Sequence, residues 1–466
     1  ARQGKHVEGC RIYYARRPEL ETAEEKLEFL SSARMPELTF DEIRSDTKHN
    51  WINLANNDFN SLVPVATREA KAAKLPSQAK AVFKIYSLGV ATNRDEWVYD
   101  VDQTLLEQKI RFLISCYNAD VKRLGSIGTK KSVIDQLDYT IKWTRSVKRD
   151  LGRGSEYEFS KDKIIAANYR PFTRRWMYRD QQLNEMGNLT GVFFGAGTTI
   201  NPAITIMGDS SGKPYLSLAI DRIPDLNFVS PASGGSQTFA RWVLDASGKL
   251  VDNITDWALD QFKKQYQPGR AKPKRPLTKE AIFHYVYGVL HDPVYREKYA
   301  LNLKREFPRI PFYADFWQWA DWGKALMDLH IGYETVEPFA LERIEAGISL
   351  QPRTHKRGEG ASERAEAPKP MLKADRGAGR IVLDTQTTLS GVPPEVWDYK
   401  LGNRSALEWI LDQYKEKKPK DPTIREKFDT YRFADYKEKV IDLLMRVTRV
   451  SVETQAIVEA MGRVAR

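Results

Sequence analysis

Residues 353–370, RTHKRGEGASERAEAPKP, contain no aromatic and no branched apolar side chain. A stretch with nothing to bury cannot run through the interior of a folded body, so it reads as a flexible linker or exposed loop. It separates a long N-terminal part from a strand-and-helix module over 371–466. The 466 residues are too many for one compact core and set an expectation of two or three domains. At 41% hydrophobic residues, most of that length should fold.

Residues 10–14 (CRIYY) read as a strand, and 22–32 as a helix with Leu27 and Leu30 toward a core. The Asn-rich stretch 47–65 reads as a loop with short helical turns. Residues 82–100 read as a strand, a turn and a second strand. Apolar residues at helical spacing predict helices over 102–117 (Leu105, Leu106, Ile110, Leu113, Ile114) and 132–150 (Ile134, Leu137, Ile141, Val147). From 163 to 245, apolar runs broken by Gly, Pro and Ser predict strands. Helices return after 252. Asp292 suits a helix cap and Pro293 a first turn, and 314–334 is amphipathic. The expected class is α/β (α+β), a mixed β-sheet and helical chain.

Lys plus Arg number 73 against 62 Asp plus Glu, a net charge of +11 that suits a polyanionic partner. Two cysteines, Cys10 and Cys116, offer no disulfide framework, which points to a reducing, cytoplasmic setting. Apolar runs such as AIFHYVYGVL are too short and too polar to span a bilayer, so no membrane partner is expected. No signal peptide is visible, and the abrupt start suggests a piece of something longer.

Catalytic motifs are incomplete. GDSSGKP (208–214) is one residue short of a phosphate-binding loop, and Pro214 replaces the hydroxyl residue. VFFGAGTT (192–199) imitates an S-adenosylmethionine loop, but Pro202 follows too soon for a helix, so a β-turn in a sheet is the plainer reading. Pro224-Asp225 has no E-x-K partner for a nuclease metal. His284 and His291 are seven apart, wider than a two-histidine zinc site requires. No catalytic, cofactor or metal residue is therefore assigned.

NYRPFTRRWMYRD (168–180) threads Arg170, Arg174, Arg175 and Arg179 between aromatic residues. In a simple strand neither face would be purely basic. Pro171 is expected to break the run, so that Trp176 and Tyr178 pack inward. Guanidiniums meeting phosphate or a guanine edge, and a hairpin whose arginines pair with acids or stack on Trp176, are both open readings.

Several stretches in fixed order resemble the C-terminal part of Type ISP restriction-modification enzymes. They are GVATNRDEWVYD (89–100), YRPFTRRWMY (169–178), IPDLNF (223–228), YGVLHDPVYREKYALNLKREFPRIPF (287–312), LHIGYE (329–334) and GVPPEVWDYKLGNRSALEWILDQY (391–414). The resemblance implies that 1–75 ends a Rossmann-like N6-adenine methyltransferase domain. It implies a target recognition domain over 76–352, with a β-rich core at 160–245 and helices at 250–345. The linker and the 371–466 module of the recognition region follow. The implied partners are double-stranded DNA and the upstream methyltransferase and translocase domains. S-adenosylmethionine, ATP and Mg would serve the full-length enzyme, with no cofactor in this chain. Thr92, Asn93, Arg94 and the four hairpin arginines are candidates for reading DNA. Lys142 and Arg145, with Lys148 and Arg149 near one end of a helix, are candidates for phosphate, the alternative being a solvated face. For Arg94 and Asp95 the alternative is a buried ion pair fixing the turn. Alternatives for the whole are a docking region between methyltransferase and translocase, or a self-contained methyltransferase.

Overall fold

The structure is a computed structural model that describes residues 11–18, 21–45, 51, 57–67, 70, 79–124, 135–208, 214–229, 234–267, 274–346 and 367–466. Ile134, most of the 353–370 linker and residues 209–213 of GDSSGKP lie outside these.

A four-stranded antiparallel sheet runs in the order Ser87–Leu88, Ser236–Ala240, Ala203–Met207, Ser217–Ile220. Every residue of its last three strands is buried. Side chains alternate across a pleat, so this sheet serves two hydrophobic clusters. Ala203, Met207, Leu218, Ile220 and Ala240 join one cluster; Ile204, Ile206, Ala219 and Phe239 join the other.

The second cluster is closed by the helices Lys279–Val289 and Phe316–Ile331. Asp292 caps the helix Pro293–Lys298 by accepting from Val294 N at 3.0 Å, as the sequence suggested. The Tyr287 hydroxyl accepts from Ala219 N at 2.8 Å, which covers the open edge of the sheet.

The first cluster joins the helix Gln103–Leu124, a three-stranded sheet and the C-terminal module. That module is an antiparallel sheet in the order Glu342–Glu345, Thr387–Ser390, Arg380–Asp384, Pro370–Asp375. The helices Ala406–Tyr414 and Phe433–Arg463 belong with it. His330 ties the two regions together. Its Nδ1 lies 2.6 Å from the Tyr287 hydroxyl, and its Nε2 lies 3.0 Å from both Thr454 Oγ1 and the Tyr399 hydroxyl.

The arginine-rich stretch is a hairpin of Ile164–Arg170 and Thr173–Tyr178, with Tyr99–Asp100 pairing alongside. Pro171 and Phe172 make the turn, with Phe172 at φ 52° and buried against Tyr333. Tyr178 is buried and Trp176 half-buried. The guanidiniums do not form a free comb. Arg170 Nη1 donates to Asp225 at 2.6 Å, and Arg174 Nη2 to Asp221 at 3.0 Å. Arg175 Nη2 donates to the Gln413 carbonyl at 2.7 Å, and Arg179 Nη1 to that of Gly195. Arg170 and Arg175 also lie over Tyr169, rather than over Trp176.

Three local expectations change. The helix over 132–150 shrinks to Arg145–Leu151. Asp120 takes the amide of Asp138 and Asp138 takes that of Thr140, so side chains compete for the backbone there. Residues 82–100 hold only the short strands Ser87–Leu88 and Tyr99–Asp100, with a helical turn Asp95–Val98 between them. The helix Ala23–Ser32 forms on a Thr22–Glu25 capping box, yet Leu27 and Leu30 are 65% and 69% exposed, so no core among the described residues receives them.

Two outcomes are expected. Burial drives His330 down to about 3 from an ordinary value near 6.5, and His291 is lowered for the same reason. The unfolded chain takes up protons below pH 6.5 and the folded chain does not, so this stability is present above pH 6.5 and lost as pH falls toward 3. In chemical denaturation the pH dependence of His330→Gln should be shallower than that of the parent by about 1.4 kcal/mol per pH unit between roughly pH 6 and 4. Arg170→Met, which strands the buried Asp225 carboxylate, should lose about 3–5 kcal/mol. Adding Asp225→Asn to it should recover part of the loss.

Candidate nucleic-acid interface

The segment Gly89–Trp97 is set down rigidly. Val90 N donates to the Pro224 carbonyl at 2.9 Å, and Leu226 N to that of Val90 at 2.8 Å. A Cβ on Gly89 would lie 2.4 Å from the Asp225 carbonyl oxygen, so only glycine permits this approach. Ala91 and Met186 exchange backbone hydrogen bonds at 2.9 and 3.0 Å. Thr92 is buried; its hydroxyl donates to Asp95 and accepts from Arg94 N at 3.2 Å. Asp95 also accepts from the Tyr169 hydroxyl at 3.2 Å.

Asn93, between these fixed residues, is exposed at φ 54°. Asparagine tolerates that left-handed conformation better than most residues. Its carboxamide stands at the tip of the loop, between the hydrogen-bonded Thr92 and the buried Arg94. Arg94 points inward and is 3% exposed. Its Nη2 donates to Thr144 Oγ1, while Nε and Nη1 have no hydrogen-bond partner among the described residues. Burial lowers it to about 10, with Tyr157 and Glu185 opposing. It pairs with Thr144, not Asp95, so the turn is not fixed by an Arg94–Asp95 ion pair.

The loop overlooks a depression of about 640 Å³, lined also by Tyr139, Lys142, Trp143, Asn227 and Lys420. A second depression of about 680 Å³ adjoins it at Trp143 and carries Arg145, Lys148, Arg149 and Arg153. Lys142 is exposed and makes no ion pair among the described residues. Arg145 is 88% exposed, 3.5 Å from Glu185. The structure thus gathers Thr92, Asn93, Arg94, Lys142 and Arg145 around two neighbouring hollows. The hairpin arginines lie apart, except that Arg170 and Arg175 line a third hollow beyond Asp95 and Glu96.

The carboxylates beside the loop are engaged by the protein. Glu96 accepts from the backbone N–H groups of Lys420 and Asp421 at 2.9 and 2.8 Å. Asp421 accepts from Trp97 Nε1 at 2.8 Å. Asp225 accepts from Arg170 and from Asn227 N at 2.8 Å. Burial holds Asp225 above the usual carboxylate range, although Arg170 pulls it down. The lysines of KEKKPK (415–420) were not among the sequence candidates; their charge run was the available signal.

The glycines of VFFGAGTT have other work. Gly195, at φ 56°, ends the helix Thr190–Phe194, and a Cβ on Gly197 would strike Ile165 at 2.3 Å. His291 is a packed histidine, its Nδ1 donating to the Tyr287 carbonyl at 2.8 Å. Among the described residues, no group of three or more His, Cys, Asp or Glu is placed to hold a metal, and no helix is long and apolar enough to cross a membrane.

A search of curated proteins found no match. Among solved structures, the chain is similar to the cryoEM structure of a DrdV–DNA complex, at 42% identity and a TM-score of 0.80 over 98% of this chain. A nuclease-deletion mutant of the Type ISP restriction-modification enzyme LlaGI, in complex with a DNA substrate mimic, matches at 26% identity and 0.71 over 98%. The ATP-dependent Type ISP enzyme LlaBIII bound to DNA shares the fold at 22% identity and 0.70 over 91%. The chain spans 44%, 39% and 25% of those chains. The family model of the Type ISP C-terminal specificity domain matches residues 81–443, and this chain belongs to that family.

Proposed function

We propose that this chain recognises a short sequence in double-stranded DNA for a restriction-modification enzyme. The observation that carries the reading is Asn93, an exposed carboxamide between the hydrogen-bonded Thr92 and the buried Arg94, beside hollows edged by Lys142 and Arg145. An asparagine amide suits the N7 and N6 edge of adenine in the major groove, and a pre-set loop loses little entropy on binding. Lys142 and Arg145 supply sequence-blind attraction to phosphates. The DNA-bound state of the DrdV and LlaGI structures supports the reading.

In this reading Arg94, Arg170, Arg174, Arg175 and Arg179 position the surface, and Thr92 orders the loop. Residues 1–75 close the methyltransferase domain. Leu27, Leu30 and the 73%-exposed Met35 fit docking against an upstream domain rather than base reading. Recognition then places a target adenine for S-adenosylmethionine-dependent N6 methylation and directs ATP-dependent restriction. S-adenosylmethionine, ATP and Mg act in the upstream domains, in the cytoplasm.

Titration with duplex DNA at several salt concentrations tests this. The parent chain should bind with a steep salt slope and a preferred sequence; no binding at low salt would contradict it. Asn93→Ala should relax the preference at one base pair by about 1–3 kcal/mol. Lys142→Ala and Arg145→Ala should weaken binding to all duplexes alike, each lowering the salt slope by about 0.9.

A further inference from the structure

The loop Lys415–Lys420 comes from the C-terminal module, yet it borders the same surface as Asn93. Lys420 lines the hollow beneath Asn93, and Lys415 and Lys418 line the hollow on the far side of Asp95 and Glu96. All three are exposed, and their ammonium groups form no ion pair among the described residues. Two of the nearby acids are engaged within the protein, while Asp429 lines the same hollow as Lys415 and Lys418. Asp412 pairs with Lys417 at 3.0 Å and Arg404 at 3.3 Å, and Glu416 accepts from Phe433 N at 2.8 Å at the start of the long helix.

The loop is also held in shape. Glu96 takes the amides of Lys420 and Asp421, Trp97 Nε1 binds Asp421, and Asp421 caps the helix Pro422–Lys427. At the other end, Arg175 binds the Gln413 carbonyl and the Tyr431 hydroxyl binds that of Tyr414, both at 2.7 Å. Pro419 fixes a backbone angle between Lys418 and Lys420. Three unpaired ammonium groups are thereby presented in a fixed relation to the Asn93 loop, with the anchors on the same helical turn, Asp95–Val98.

We infer that Lys415, Lys418 and Lys420 form a clamp for the phosphodiester backbone of duplex DNA, set by Glu96 in register with the Asn93 loop. The inference rests on the DNA-recognition reading above. A compact ammonium carries no base preference, so the clamp adds affinity and registers the duplex without reading it. Hairpin Arg175 is a positioning residue, holding the loop's entry.

The test uses the whole chain and two labelled duplexes, one of the preferred sequence and one scrambled, titrated between roughly 50 and 200 mM salt. Lys418→Gln/Lys420→Gln keeps both stems and removes two charges. The expected result is a salt slope lower by about 1.8, with affinity for both duplexes reduced and their ratio unchanged. Lys263→Gln/Lys264→Gln, two exposed lysines on the helix Asp256–Tyr266, should leave the slope as it was. A parent that binds with sequence preference while the 418/420 variant keeps the parental slope overturns the clamp and leaves the recognition reading standing. A shift in the ratio equal to the loss in affinity also overturns the clamp, since the lysines would then be reading bases. A parent that binds no duplex overturns both.

Discussion

Arg170 and Asp225 meet at 2.6 Å where three segments converge: the arginine hairpin, the Ile223–Phe228 stretch and the Gly89–Trp97 loop. The backbone alternates between them. Asn168 N donates to the Ile223 carbonyl and Asp225 N to that of Asn168, both at 2.9 Å, while Val90 and Leu226 continue the ladder on the other side. A buried charge pair of this kind earns little net stability, but removing one partner leaves an uncompensated charge. The pair joins the hairpin to the Ile223–Phe228 stretch at the point where the Gly89–Trp97 loop meets both.

Around that junction the molecule separates rigidity from contact. The four-stranded sheet feeds two hydrophobic clusters through the alternation of one pleat, and His330 links the helices behind it to the C-terminal module. Carboxylates and arginines near the loop are spent on each other and on backbone groups. Asn93 presents an exposed carboxamide with lysine and arginine side chains lining the neighbouring hollows. In the proposed reading that division suits duplex DNA, whose phosphates supply affinity and whose groove edges supply choice.

Much of the scaffold was legible because it is local. The Asp292–Pro293 helix start, the helix of 314–334 and the β-rich stretch after 163 each declare themselves within a few residues. The hairpin reading was legible too, but the partners of its arginines were not. Asp225 and Asp221 lie 55 and 47 positions away from Arg170 and Arg174. The 132–150 spacing misled because Leu137 and Ile141 reach the core from turns that Asp120 and Asp138 stabilise. The lysine loop stayed hidden for a similar reason. Its anchor, Glu96, is 324 residues from Lys420, and a charge run alone does not say what it faces.

In the proposed reading, the Asn93 loop, the Tyr139–Arg149 stretch and the Lys415–Asp421 loop make one surface that engages duplex DNA. Amide hydrogen exchange of the chain with and without saturating duplex of its preferred sequence addresses it most directly. Slowed exchange in 91–97, 139–149 and 415–421, with the Lys279–Val289 and Phe316–Ile331 helices unchanged, is the expected pattern. Protection confined to those two helices or to the Ala23–Ser32 segment, with 91–97 unaffected, would contradict it.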